Sequence, residues 1–184
     1  MILNRCLAWN ERAAPDAPDG ALWFPRPYQG EGRHDNPGTY GCLYLSEQPL
    51  SCVVEQLARF RGQRLTAALL RRRGLPLALA RLELPDDAQL VDLDDPVVLR
   101  RERLRPSGVA TRQREITQPQ ALALHEGHAE AAGLRWWSTF EAQWLNVTLF
   151  DRAASSLRLV SVRALDVVDD EIAAAADVLG LRLA

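Results

Sequence analysis

Alternating and helically spaced apolar positions divide this chain into short strands toward both ends and helices between them. A brief aromatic run at 21–25 (ALWFP) predicts a strand ending at Arg26. Pro25 and Pro27 flank that arginine and predict extended backbone without a helix. Residues 29–41, rich in glycine and carrying Asn36-Pro37, predict a loop of tight turns. The segment 42–46 (CLYLS) predicts a strand in which Leu43 and Leu45 face away from Tyr44. Apolar spacing from Leu50 to Phe60 predicts a helix with Ser46 as N-cap, Pro49 in its first turn and an end at Gly62. Glu55 lies beside its apolar stripe.

A second helix is expected over 65–73, with three arginines in its last turn and Gly74 as the stop. Strands are expected at 76–84 and 89–93, and a charged helix over 96–104. After a polar, turn-like stretch, Thr117 is expected to cap a helix running to about residue 132. Strands follow at 134–137, 144–150 and 157–165, and an alanine-rich helix at 169–179. Strands clustered at the two ends with helices between them predict an α+β fold, with central mixed or antiparallel strands flanked by helices. Residues 1–20 read as a lead segment, an apolar start followed by a Pro/Asp/Gly-rich connection, and 21–184 as the domain proper.

Composition changes this picture little. Apolar residues make up 47% and charged residues 25% of the 184, ordinary values for a soluble globular protein. The net charge of -2 supplies no global basic field, so direct nucleic-acid binding is not expected. All 22 basic residues are arginine, which removes any lysine Schiff-base chemistry. Cys6, Cys42 and Cys52 show no metal-ligand spacing and read as small core residues, and no metal site is expected. No apolar run is long enough to span a bilayer, and a cytoplasmic protein without membrane contact is expected.

The residues with chemical promise cluster between 22 and 55. Arg26 and Arg33 border a glycine-rich loop, where backbone amides and guanidinium groups together suit a phosphate or pyrophosphate. Tyr44 offers an aromatic face to a ligand ring. Glu55 places a carboxylate on a mostly apolar helix, where it needs a partner or a task. The HEGH of His125 and His128 has the wrong spacing for a zinc protease. Ser138, beside Trp136, Trp137 and Trp144, lacks the flanking glycines of a hydrolase elbow. No Walker or Rossmann glycine pattern is present.

The order arginine, glycine turn, tyrosine strand, glutamate helix in GRHDNPGTYGCLYLSEQPLSCVVE resembles the signature of RES-domain proteins. In them a G-R-(F/W)-(N/D) turn leads to an L-Y strand and then to a helix bearing a glutamate. TQPQALAL and LRWWS…LNVTLF resemble the family's second conserved region, so the likeness runs from about Leu22 to Phe150. His34 stands where the family usually has an aromatic residue, and Ser138 follows two tryptophans in place of Val-Pro.

The resemblance implies an ADP-ribosyltransferase-like fold and cleavage of NAD at the nicotinamide–ribose bond, by hydrolysis or phosphorolysis. Alternatives are ADP-ribose transfer to a protein, a non-catalytic NAD or ADP-ribose-binding module, or an RNA 2′-phosphotransferase-like enzyme, which the near-neutral charge disfavours. It implies Arg26 and Arg33 on the pyrophosphate, Tyr44 against nicotinamide or ribose, Glu55 as the central carboxylate and Ser138 on the ribose or carboxamide. Thr117 and Ser107 are the other hydroxyls that would complete the pocket. It further implies NAD as substrate with no other cofactor, inorganic phosphate as an alternative acceptor, and a toxin role. The partner would be an antitoxin with an Xre-type helix-turn-helix, and a homodimer is compatible with all of this.

Overall fold

The structure, a computed structural model, describes residues 1–182. Its strands are β1 (Ile2–Ala8), β2 (Cys42–Ser46), β3 (Arg71–Arg72), β4 (Leu75–Glu83), β5 (Leu90–Asp92), β6 (Gly133–Trp137), β7 (Leu145–Phe150) and β8 (Arg158–Ala164). Its helices are α1 (Pro49–Leu57), α2 (Pro96–Arg101), α3 (Pro106–Val109), α4 (Arg114–Gly127) and α5 (Asp170–Leu179). The expected α+β class, mixed strands accompanied by helices, is what the chain forms. Contacts separate two compact units, each drawn from several stretches of sequence. The first combines Met1, 24–45 and 84–157; the second combines 2–23, 46–83 and the chain from 158 onward.

In the first unit β2, β7, β6 and β5 lie side by side in that order. Strands β6 and β7 are antiparallel, with Gly133 opposite Leu149 and Trp137 opposite Leu145. Strands β5 and β6 run parallel. Tyr40, Cys42, Leu134, Trp136 and Phe150 pack with Leu99 of α2, Val109 of α3 and Ala121 and Leu124 of α4. Each large side chain fully buried this way stabilises the unit by about 1.5–3 kcal/mol. Asp95 caps α2, its carboxylate accepting from the Val97 N–H at 2.7 Å, and Pro96 begins the helix where no N–H is needed.

In the second unit β4 is flanked by β1, from Ile2 opposite Glu83 to Ala8 opposite Leu77, and by β8. Part of the lead segment 1–20 is therefore strand. Helices α1 and α5 pack on each other, and α1 also covers β1. The buried residues of α5, Ile172, Ala175, Ala176 and Leu179, keep strict helical spacing. Gly180 ends that helix at φ 62°, a conformation only glycine adopts freely.

Several local expectations give way. Residues 21–25 form no strand, and Arg26–Tyr28 is a 3-10 turn. Pro27 is tolerated because it stands in the first turn, where its missing N–H has no partner to lose. Ser46 is not the cap of α1; it ends β2, pairs with Asn4, and its hydroxyl accepts from the Gln48 N–H at 3.2 Å. That helix closes at Leu57 and continues to Phe60 as a 3-10 turn.

The helix expected over 65–73 is a 3-10 turn, Ala67–Leu70, followed by β3. Arg73 and Gly74 both take positive φ, 53° and 81°, the conformation of a tight hairpin turn, so the arginine run becomes a hairpin edge and not a helix end. The charged helix at 96–104 stops at Arg101, and α3 arises within the turn-like stretch. Thr117 does not cap α4 but lies inside it. The carbonyl of Gln113 accepts from both Ile116 and Thr117, so the helix is nucleated one turn earlier, and it ends at Gly127 short of residue 132.

Candidate functional site

The glycine-rich loop is organised by a carboxylate. Asp35, buried, accepts through one oxygen from the N–H groups of Gly30 at 2.8 Å and Gly32 at 2.7 Å. Its other oxygen accepts from the Tyr44 hydroxyl at 2.7 Å and the Cys42 thiol at 3.3 Å. Tyr44 in turn accepts from the His34 N–H at 2.8 Å. Four donors on one buried carboxylate satisfy its lone pairs and fix the loop to β2. The loop must be glycine at 32, since a Cβ there would overlap the Tyr44 hydroxyl and the Asp35 carboxylate. Burial, with Cys42 and Asp35 alongside, holds the Tyr44 phenol well above its usual range, so it stays a protonated donor.

Helix α4 docks onto this loop. The Thr117 hydroxyl donates to the Arg33 carbonyl at 2.6 Å, and the Gln118 amide donates to the carbonyls of Gly30 at 2.8 Å and Gly32 at 2.9 Å. Asn36 donates to the Gln118 carbonyl at 3.0 Å. Arg33 is 7% exposed. Its Nη1 donates to the Val109 carbonyl at 2.7 Å and to that of Thr111, and its guanidinium lies 4.7 Å over the Trp136 ring. A guanidinium stacked on indole and bonded to carbonyls ties the α3–α4 connection to β6.

His34 is buried against the edge of Trp136, and its Nδ1 lies 2.8 Å from the Thr148 hydroxyl. That hydroxyl also accepts from the Trp136 indole at 3.0 Å. Burial, then the neighbouring Arg33 and Arg114, push His34 well below its usual range, so the ring is neutral near pH 7. The exceptional residue of the arginine-glycine turn is thus a polar spacer between β7 and the loop.

Among the expected site residues, Arg33, Tyr44 and Thr117 belong to one hydrogen-bonded assembly. Arg26 lies at the loop's other end, its Nε donating to the Pro37 carbonyl at 2.7 Å and its Nη1 3.5 Å from Asp151. Ser138 is buried just beyond β6, two residues from Trp136, and its hydroxyl accepts from the Phe140 N–H at 3.2 Å. Ser107 is exposed on α3. Glu55 belongs to the second unit, exposed on the last turns of α1.

Sequence reasoning passes over Asp35, Gln118 and Thr148, whose importance comes from partners far along the chain. The one local sign was an aspartate three residues after Gly32, a pattern that favours side-chain to backbone bonds in turns. It also passes over Arg5 of the second unit. That side chain is buried, donates to the Ala21 carbonyl at 2.6 Å, and meets no carboxylate among the described residues. Burial lowers its pKa to about 10. No helix among the described residues is long and apolar enough to cross a membrane.

A search among curated proteins gives no match. Among solved structures, the chain is similar to one from the M. tuberculosis MbcT–MbcA toxin–antitoxin complex, at a TM-score of 0.65 and 16% identity. That alignment covers 97% of this chain and 88% of the other, and at such low identity it shows a shared fold. The sequence pattern described as RES domain matches residues 5–171. The matched span takes in both units and the whole Arg33–Tyr44 assembly, and the chain belongs to the RES-domain family.

Proposed function

We propose that this protein breaks the nicotinamide–ribose bond of NAD and acts as the toxin of a toxin–antitoxin pair. The observation that carries the reading is the preorganised arginine-glycine turn within a RES domain, with Arg33, Asp35 and Tyr44 locked together. The likeness in fold to a chain of a toxin–antitoxin complex supports the toxin role. The partner we assign is an antitoxin with an Xre-type helix-turn-helix, and the small molecule required is NAD as substrate, joined by inorganic phosphate as co-substrate if the reaction is phosphorolysis.

Departure of nicotinamide leaves positive charge on the ribose, an oxocarbenium-like transition state. Neither His34, held neutral, nor Tyr44, held protonated, offers a negative charge to meet it. On the RES-domain resemblance we assign Glu55 that role, either by stabilising the cation or by holding the ribose hydroxyls. Arg26 is 42% exposed, and its 3.5 Å contact with Asp151 is loose enough to exchange for a pyrophosphate oxygen. Arg33 supplies a second positive centre, Tyr44 packs beside the ring or ribose, and Ser138 hydrogen-bonds the ribose or carboxamide. Asp35 acts on Tyr44 and the loop amides as a positioning residue.

The acceptor decides the product, and chromatography of NAD incubations with and without phosphate distinguishes the outcomes. ADP-ribose-1″-phosphate identifies phosphorolysis, free ADP-ribose identifies hydrolysis, and a labelled protein identifies transfer. Tight NAD binding in calorimetry with no nicotinamide released would make the domain a binding module and refute the catalytic reading.

A further inference from the structure

Between residues 56 and 82 the chain carries seven arginines and no carboxylate. The near-neutral total hides this, because residues 83–95 carry six carboxylates and no basic residue. The second unit gathers the arginines. Arg72 of β3 donates to the Gln56 side chain in the last turn of α1 at 3.1 Å, and Arg59 lies three residues beyond Gln56 on the continuing 3-10 turn. Arg71 and Arg73 belong to the same hairpin, and Arg64 forms an isolated bridge with Arg182.

Arg59, Arg61, Arg64, Arg71, Arg72 and Arg73 are all exposed. Arg73 reaches Asp19 and Arg71 turns back to the Gly74 carbonyl, while Arg59 and Arg64 meet no carboxylate among the described residues. Partial burial and the neighbouring Arg59 and Arg73 lower the basicity of Arg72, a sign of crowded like charge.

A nucleic acid carries condensed cations along its phosphates, and a face of this kind binds by neutralising those phosphates and releasing the cations. An acidic protein segment usually adds apolar anchors at the centre of its interface. Among the described residues the most exposed large apolar side chains are Ile2, Tyr28, Val97, Val160, Val168 and Val178. The four of the second unit, Ile2, Val160, Val168 and Val178, stand on β1, on β8, just before α5 and on α5, and none lies within 56–82. A surface whose cations are all arginine suits phosphate oxygens, which the guanidinium fork meets two at a time. We propose that this face of the second unit binds the phosphate backbone of nucleic acid without reading the bases.

The test is fluorescence anisotropy of a labelled DNA duplex, which needs neither NAD nor turnover and so stands apart from the proposed activity. With about four phosphates contacted, affinity falls on the order of 10²-fold between about 50 and 200 mM salt. The triple variant Arg59→Gln, Arg64→Gln, Arg72→Gln loses at least about tenfold in affinity at low salt, and its salt slope flattens by nearly one per arginine removed. The same three positions changed to lysine keep the charge and retain most of the binding, which separates charge loss from misfolding. Arg100→Gln, Arg103→Gln, Arg105→Gln, in the first unit, leaves binding unchanged. The proposal is overturned by no salt-dependent binding at low salt, by equal losses in both glutamine triples, or by patch-dependent binding of polyglutamate without binding of DNA.

Discussion

Two arginine-bearing regions of this molecule use the same side chain in opposite ways. In the first unit Arg33 is buried, stacked on Trp136 and bonded to carbonyls, within a loop whose polar atoms bond one another. In the second unit Arg59 and Arg64 stand exposed and without carboxylates among the described residues. Burial, more than residue type, decides how a cation's charge is compensated within the protein. A buried guanidinium left without partners is costly, so the chain surrounds it with oxygens. An exposed one costs little and is available to a ligand.

The contrast breaks hardest at Asp35. Asp35→Ala strands the Gly30 and Gly32 amides and the Tyr44 hydroxyl. Gly30 is exposed and Gly32 half-buried, so water recovers part of what their amides lose, and a loss of about 3 kcal/mol is expected in urea unfolding. A loss below about 1 kcal/mol would mean that the loop does not depend on its carboxylate. Thr148→Val comes next. It removes the acceptor of the Trp136 indole and the partner of His34 while keeping shape, and costs about 2 kcal/mol in the same measurement.

A smaller effect is expected from pH. The folded chain holds His34 well below its usual range, and His125, whose buried Nδ1 makes no hydrogen bond among the described residues, below its own. The unfolded chain therefore binds more protons at mildly acid pH, so stability is fully present above the ordinary histidine range and falls as pH drops through about 6.5. His34→Gln should flatten that decline; an unchanged pH profile would place its origin elsewhere. Smallest of all, Arg100→Gln on exposed α2 should shift stability by no more than about 0.5 kcal/mol.

Apolar periodicity made much of the fold legible. Strands β2, β4, β6, β7 and β8 and helix α5 fall where alternation or helical spacing puts them, because each buries a regular stripe. The misplaced elements are those where backbone geometry overrules composition. Arg71–Gly74 reads as a helix end, yet two positive φ values make it a hairpin turn. Thr117 reads as a cap, yet its hydroxyl is spent on the Arg33 carbonyl. At the candidate site, order and spacing exposed Arg33 and Tyr44. Asp35 stayed hidden, since its four donors meet only once β2 and the loop have folded. The arginine surface was hidden too, because a net charge averages over both units.

The central proposal is cleavage of NAD that depends on Glu55. Nicotinamide release from NAD by the wild-type protein and by folded Glu55→Ala, measured side by side, tests this most directly. Release by the wild type is expected, with at least about a 10²-fold loss in the variant. Release undiminished in Glu55→Ala, or none from the folded wild type, would contradict it.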